Sequence, residues 1–375
     1  MKSSSLTIQN AIHKVDLSSE NNAGIGANND IDAIKIWLKE FIASPNTFIS
    51  YRQCAERFIM WAIAQRHTLA TIKREDIMSY QSFLNDPSPA EIWCGPAVSR
   101  QNKNWRPFVK GLSSTSIRLN LQILTTMYEY LIQSGYLSIN PFRLIKRKSA
   151  RLNVTNKKVE RYLSHKEWDL ICNFINNMPE NNQVNKEHKS RVRWIFNLLY
   201  LSGCRRSEIT NAKMNDFIHK NGQWWLRVIG KGNKYGEIPV TKSLLEELIQ
   251  YRKSLNLPDL PGVHEHNIAI VNSLRFHSSS LSGISHSMLY KIIKSTCILI
   301  AQEVKLDDPG AAYVIEQVST HWLRHTSATH QVDAGIDIRV VKENLRHSLL
   351  ETTMKYQHTE DAARHEETSK KFGIK

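Results

Sequence analysis

His321 and Arg324 lie three residues apart in the run THWLRHTSATH, with His325 one step beyond, His347 in the following LRHSLL and Tyr356 nine residues later. On a helix, positions i and i+3 share a face, so His321 and Arg324 can meet one ligand together. A guanidinium beside a proton-sharing imidazole suits an anion. His321 and His325 also have the i, i+4 spacing of a helical metal pair, but Trp322 stands where HExxH would place its glutamate, and no metal site is expected. Far upstream, Arg205 and Arg206 fall in SGCRRSEI, and Lys231 and Lys234 in GKGNK. Singly, these residues are unremarkable in kind: a lone helical histidine is usually structural, and a lysine between glycines is usually a solvated turn residue.

The elements that must position them follow from periodicity. Residues 1–30, rich in Ser, Asn and Ala, read as a mobile tail that cannot bury enough surface to offset its ordering entropy. Helical spacing begins at Ile31, and Phe48, Tyr51, Ala55, Phe58 and Ala62 form one apolar stripe. A short helix is predicted over Arg74 to Leu84, and a long one from Thr115 to Ser134 with Gly135 as its stop. Between them, residues 86–112 form a Pro- and Trp-containing insertion. Its Arg100, Lys103, Arg106 and Lys110 could grip a nucleic-acid backbone, or Trp93 and Trp105 could simply pin the loop to the helices.

Asn140-Pro141 closes a helical domain over 31–142. A linker over 143–161 follows, with Arg143, Lys146, Arg147, Lys148, Arg151, Lys157, Lys158 and Arg161 against the single acid Glu160. A run so one-sided can lie along a phosphate backbone, although a solvated charge run is the default. The second domain, 162–360, opens on a capping box, Ser164 to Glu167, and continues with a helix over Lys186 to Leu201 broken by Gly203. In GQWWLRVIGKGNKYGEIPV the period changes to two, which predicts a hairpin or small sheet with Lys231 and Lys234 at its tip. Helices are then expected over Lys242–Ser254, Ser287–Val304, Thr320–Ala334, Ile338–Leu345 and Leu350–Tyr356, with a tail over 361–375; residues 257–285 give no clear pattern. The fold class is mainly α with a small antiparallel β-sheet (α+β).

Composition bounds the function. The 50 Lys and Arg against 35 Asp and Glu leave +15 in a chain of 375 residues, a field that favours a polyanion such as double-stranded DNA. The five cysteines, with no close pair, argue against a disulfide framework and a Cys-built zinc site. No apolar run is long enough to span a bilayer, so no membrane partner is expected and the reading is a cytoplasmic, nucleoid-associated bacterial protein.

Taken in order, Arg205, Lys231, His321-x-x-Arg324, His347 and Tyr356 resemble the tyrosine recombinase family, the phage-type integrases, of the simple two-domain Xer-like kind. Thr47, Tyr51, Phe58 and Trp61 and the run LIQSGYLSINPF are similar to the family's helical core-binding domain, so the resemblance covers about residues 31 to 360. It implies a C-shaped clamp on DNA built from a core-binding domain and a catalytic domain, with the 361–375 tail docking on a neighbouring protomer. Arg205, rather than Arg206, and Arg324 match the phosphate-binding arginines. Tyr356 matches the nucleophile that forms a 3′-phosphotyrosyl link, Lys231 the general acid, and His321 and His347 the proton-handling groups. Glu208 is expected to orient Arg205, and Lys234 to touch the DNA backbone. Neither cofactor nor ATP is implied.

The resemblance further implies a tetramer on two DNA sites, accessory recombination factors and, from the Trp-containing insertion, a mobile element. A type IB topoisomerase or a non-catalytic DNA-binding protein is the alternative. Two positions depart from the family pattern: Arg346 stands where Leu-Gly-His has glycine, and Gly236 where an arginine commonly follows GKGNK.

Overall fold

The computed structural model describes residues 24–144, 161–230, 235–274 and 281–346. The chain divides into two units, 1–155 and 156–375. Lys146, Arg147, Lys148, Arg151, Lys157, Lys158, Lys231, Lys234, His347, Tyr356 and the helix expected over Leu350–Tyr356 lie outside the described residues.

The first unit is helical: α1 Asp30–Lys39, α2 Pro45–Ala64, α3 Arg74–Asn85, the short α4 Ala90–Trp93, and α5 Ser114–Gln133. The predicted stripe on α2 faces inward, with Ala55, Phe58 and Ala62 buried. Phe58 meets Tyr80 edge-on at 5.0 Å, and Tyr128 meets Phe142 at 5.2 Å. Fully burying a large apolar side chain contributes roughly 1.5–3 kcal/mol, so this aromatic cluster anchors the unit. Residues 24–30, expected as the end of a mobile tail, are packed instead. The Gly24 amide donates to Ser134 O at 2.7 Å, and buried Asp30 accepts from Leu69 N at 2.8 Å and Tyr136 Oη at 2.9 Å. Hydrogen bonds to a buried carboxylate offset the entropy that composition alone left unopposed.

In the insertion, Trp93 is buried edge-on against Phe83 at 4.9 Å, and Leu112 N donates to Leu84 O at 2.8 Å, closing the loop onto α3. Arg57 donates to Pro107 O at 3.0 Å while lying 4.8 Å over Phe108, and Arg100 pairs with Glu56 at 2.8 Å. Trp93 thus pins the loop to α3. Arg143, exposed at the unit's edge, pairs with Glu129 at 2.8 Å.

The second unit contains α6 His165–Asn176, α7 Gln183–Ser202, α8 Arg206–Asn211, β1 Phe217–Lys220, β2 Gln223–Ile229, β3 Tyr235–Pro239, α9 Lys242–Ser254, α10 His286–Val304, α11 Pro309–Glu316, α12 Thr320–Asp333 and α13 Ile338–Leu345. The predicted capping box starts α6, with Ser164 N donating to Glu167 Oε2 at 2.6 Å and Glu167 N to Ser164 Oγ at 3.3 Å. Helix α7 is central and packs against α6, α9 and α12. Its Trp194, Ile195, Phe196, Leu198 and Leu199 are buried, so the C-terminal half of the helix packs on most of its circumference while Arg193 stays exposed. The sheet is antiparallel in the order β1-β2-β3, with Leu226 opposite both Phe217 and Ile238. The expected hairpin is β2–β3; β1 adds an edge strand. Helix α11 was not anticipated, although Asp308 caps it by accepting from Ala311 N at 2.9 Å and Pro309 opens it.

The patternless connection after α9 is organised by one side chain. Arg252, with no exposed surface, donates to Pro258 O at 2.7 Å, Leu260 O at 3.0 Å, and Glu265 Oε2 and Oε1 at 2.6 and 2.7 Å. The fold is therefore mainly α with a small antiparallel sheet. All five cysteines are free, and burial pushes the thiols of Cys54, Cys172 and Cys204 up to about 11 and Cys297 up to about 12, leaving these four unreactive at neutral pH. Among the described residues, no helix is long and apolar enough to cross a membrane.

Burial lowers the ring pKa of His188, His321 and His330. The unfolded chain takes protons near pH ~6.5 that these native rings refuse, so stability is level above that pH and falls as pH drops through the lower folded values. Melting temperature is expected to decline from about pH 7 downward, and His330→Gln to make the decline shallower; an unchanged slope would show that His330 does not contribute.

Candidate active site

Helix α7 must stop where the chain turns toward α8, and Gly203 stops it in the left-handed region at φ 59. A side chain there would also meet Leu345 Cδ2 at 2.6 Å, so the turn and the approach of α13 both need glycine. Arg205 then occupies the N-cap of α8, and Glu208, three residues on, reaches back to its amide at 2.7 Å. The same carboxylate accepts from Arg205 Nη1 at 3.0 Å. Glu208 has no exposed side-chain surface, whereas the Arg205 side chain is 38% exposed. Arg206 is exposed and takes no part.

Helix α12 supplies the second guanidinium. Arg324 is buried and donates to the carbonyls of Gly203 and Leu345. Burial first, then the charges of Arg205 and Arg346, push it down to about 10, which leaves it protonated at neutral pH. Arg205 Nη2 donates to Arg346 O at 3.4 Å. Both arginines thus hold the backbone at residues 345 and 346, the two positions before His347. His321, one turn before Arg324, keeps part of its surface exposed, and its imidazole is held below the ordinary value by partial burial and by Arg324, Arg161 and Arg205. It is neutral at pH 7 and able to take a proton.

Arg205, Glu208 and Arg324 are therefore brought together, with His321 in reach of their charge. Two further residues belong to this cluster. Arg161 was assigned to the basic linker, and nothing in the sequence ties it to His321. Arg346, by sequence only a departure from the family pattern, pairs its guanidinium with Glu208 Oε2 and donates to Asn344 O at 3.2 Å.

His165, His330 and Asp333 place ligand atoms within 4.8 Å of one another. They do not fit a metal: His330 Nε2 donates to Leu163 O at 2.9 Å, and its Nδ1 faces the Tyr200 hydroxyl at 2.9 Å. Both ring nitrogens are engaged, and the ring ties the start of the unit to α12.

Two guanidiniums converging on one stretch of backbone, in a mainly helical unit with a three-stranded antiparallel sheet, form a site suited to an anionic group. The model of the phage integrase family matches residues 161–363. The chain belongs to the phage integrase family. It is 28% identical over 305 residues to the tyrosine recombinase XerC of Thermodesulfovibrio yellowstonii, covering 78% of this chain and 86% of the relative. It is 25% identical over 315 residues to XerD of Rickettsia conorii, covering 80% and 92%. Its fold is similar to the XerH site-specific recombinase bound to palindromic difH substrate, with TM-score 0.57, 17% identity, and 98% and 93% of the two chains covered. It is similar also to the Tn1549 transposon integrase in complex with a circular intermediate DNA, with TM-score 0.57, 13% identity, and 90% and 99% covered.

Proposed function

We propose that this chain cuts and rejoins duplex DNA at a specific site through a 3′-phosphotyrosyl intermediate on Tyr356. The observation that carries this reading is the convergence of Arg205 and Arg324 on the carbonyls of Arg346 and Leu345, next to His347. A phosphodiester placed against these two forks has its charge met before attack begins, and always-charged planar donors suit that task. The Tyr356 oxygen bonds to phosphorus, its proton passing to the imidazole of His321 or His347. The bond from phosphorus to the 5′ oxygen breaks, and that oxygen takes a proton from Lys231. Attack by the 5′-hydroxyl of another strand reverses the step, so bond energy is conserved.

The first unit acts as the core-binding domain, and residues 143–161, with Lys234, lie along the DNA backbone. Arg143 is held by Glu129 through an exposed pair, which is worth about 0–1 kcal/mol and is readily exchanged for a phosphate. Four protomers act on two sites, with accessory factors setting direction.

The test uses full-length protein and a duplex selected from a random-sequence library, nicked to trap the intermediate. Wild type is expected to form a covalent adduct, while Tyr356→Phe binds and forms none; binding by both without an adduct would leave only a DNA-binding protein. A junction assay separates recombination from the relaxation of a type IB topoisomerase. Binding should also weaken with salt at a slope of roughly −0.9 per phosphate contact, and a flat response would sink the backbone-tracking role of the basic residues.

A further inference from the structure

The two positions at which the sequence departs from the family pattern lie against each other. Gly236, on β3 opposite Val228, has the Arg346 side chain folded over it, and a Cβ there would overlap Arg346 Cδ. Arg346 caps α13 in the left-handed region at φ 54, ψ 47. An L-residue held there costs roughly 1–2 kcal/mol that glycine would not incur, so the side chain must return something. It crosses Gly236 to reach Glu208, with 15% of its surface exposed.

Glu208 is the reason this matters. Its carboxylate, wholly buried, is hydrogen-bonded to the Arg205 guanidinium through one oxygen, and to the Arg205 amide and Arg346 through the other. Were Arg346 absent, the carboxylate would draw its charge compensation from Arg205, leaving Arg205 less able to meet an incoming anion. With it, two guanidiniums pair with the carboxylate and Arg324 lies within range of its charge, a surplus of two positive charges in the cluster. A phosphodiester carries one negative charge, and a second develops as a nucleophile adds to phosphorus.

We propose that Arg346 is a positioning residue of the strand-transfer site: it offsets the Glu208 carboxylate so that Arg205 and Arg324 keep their full charge for the scissile phosphate, and Gly236 is the space that admits it. This rests on the recombinase reading. Where the family pattern commonly has an arginine on the strand, this chain has Gly236, and a guanidinium reaches Glu208 from the end of a helix instead.

The experiment compares full-length wild type, Arg346→Ala, Glu208→Gln, the double variant and Gly236→Ala, by thermal melting and by single-turnover adduct formation on the selected nicked duplex at saturating protein. Arg346→Ala is expected to slow adduct formation at least about tenfold while changing DNA affinity less than about threefold. Adding Glu208→Gln is expected to recover much of the lost rate, because the uncompensated charge is gone. Gly236→Ala, which pushes Arg346 aside, should reproduce the defect in milder form. A wild-type rate for Arg346→Ala, or a double variant no faster than it, overturns the proposal, since a merely structural residue would not be rescued by removing its partner's charge. If wild type itself forms no adduct, the recombinase reading fails, and the melting cycle alone judges the pair. The Arg346→Ala penalty must shrink in the Glu208→Gln background; additive penalties overturn the compensation.

Discussion

Arg205→Ala is expected to lower the rate of adduct formation by about 10²–10³-fold, the loss seen when one preorganised donor to a developing charge is removed. The protein should remain folded. Arg205 sits at the cap of α8, but it is the backbone amide that Glu208 holds, and alanine keeps that amide. Glu208 also retains Arg346 as a charged partner, so the stability loss is on the order of the two part-buried hydrogen bonds that the guanidinium makes, about 2 kcal/mol. Arg324→Ala would be the less informative variant. Its guanidinium supports the Gly203 and Leu345 carbonyls, and removing it strands both in a buried place as well as emptying the site. Single-turnover trapping on the nicked duplex, with melting of the same sample, separates the two effects; a rate within tenfold of wild type would remove Arg205 from the chemistry.

The second large effect concerns stability. Arg252→Ala is expected to destabilise the second unit by about 3–5 kcal/mol, the cost of breaking a buried ion pair by removing one partner. The guanidinium has no exposed surface and makes four hydrogen bonds, to two carbonyls and both oxygens of Glu265. Glu265→Ala should be at least as damaging, because it strands a wholly buried cation, whereas Glu265, 15% exposed, can regain some water when Arg252 is lost. Denaturant melts with hydrogen exchange of the α7 amides give the reading, and a loss below about 1 kcal/mol would mean that the connection is held by other contacts.

The sequence made the helices legible where one face is apolar, as in α2, and most clearly where a stop residue also stands at the end, as in α5. It also disclosed the order of the chemical residues, since Arg205, His321 and Arg324 belong to short boxes whose local geometry is helical. What it hid is what depends on partners distant in the chain. Arg252 reads as one more surface cation of α9 until Pro258, Leu260 and Glu265 are seen to wrap it. Asp30 seemed the end of a tail because its donors, Leu69 and Tyr136, lie far along the chain. Helix α11 did carry a local signal in Asp308-Pro309, but at eight residues it is short for periodicity to declare. Arg346 looked like a flaw at a glycine position; only its contact with Gly236 and Glu208 gives it a place.

The bonds that close the arginine pair span 121 residues from Gly203 to Arg324 and 141 from Arg205 to Arg346. A polypeptide is made from its N-terminus, and domains generally fold as they emerge. A nascent chain that has reached the end of α12 already contains Arg205, Glu208 and Arg324, yet Leu345 and Arg346 have not been added. Until those two residues arrive, Glu208 lacks its second guanidinium and Arg324 lacks one of its two carbonyls. Closure of the arginine cluster thus waits for α13, and a ribosome-bound fragment ending at α12 carries the acid and both arginines without the contacts that tie them together.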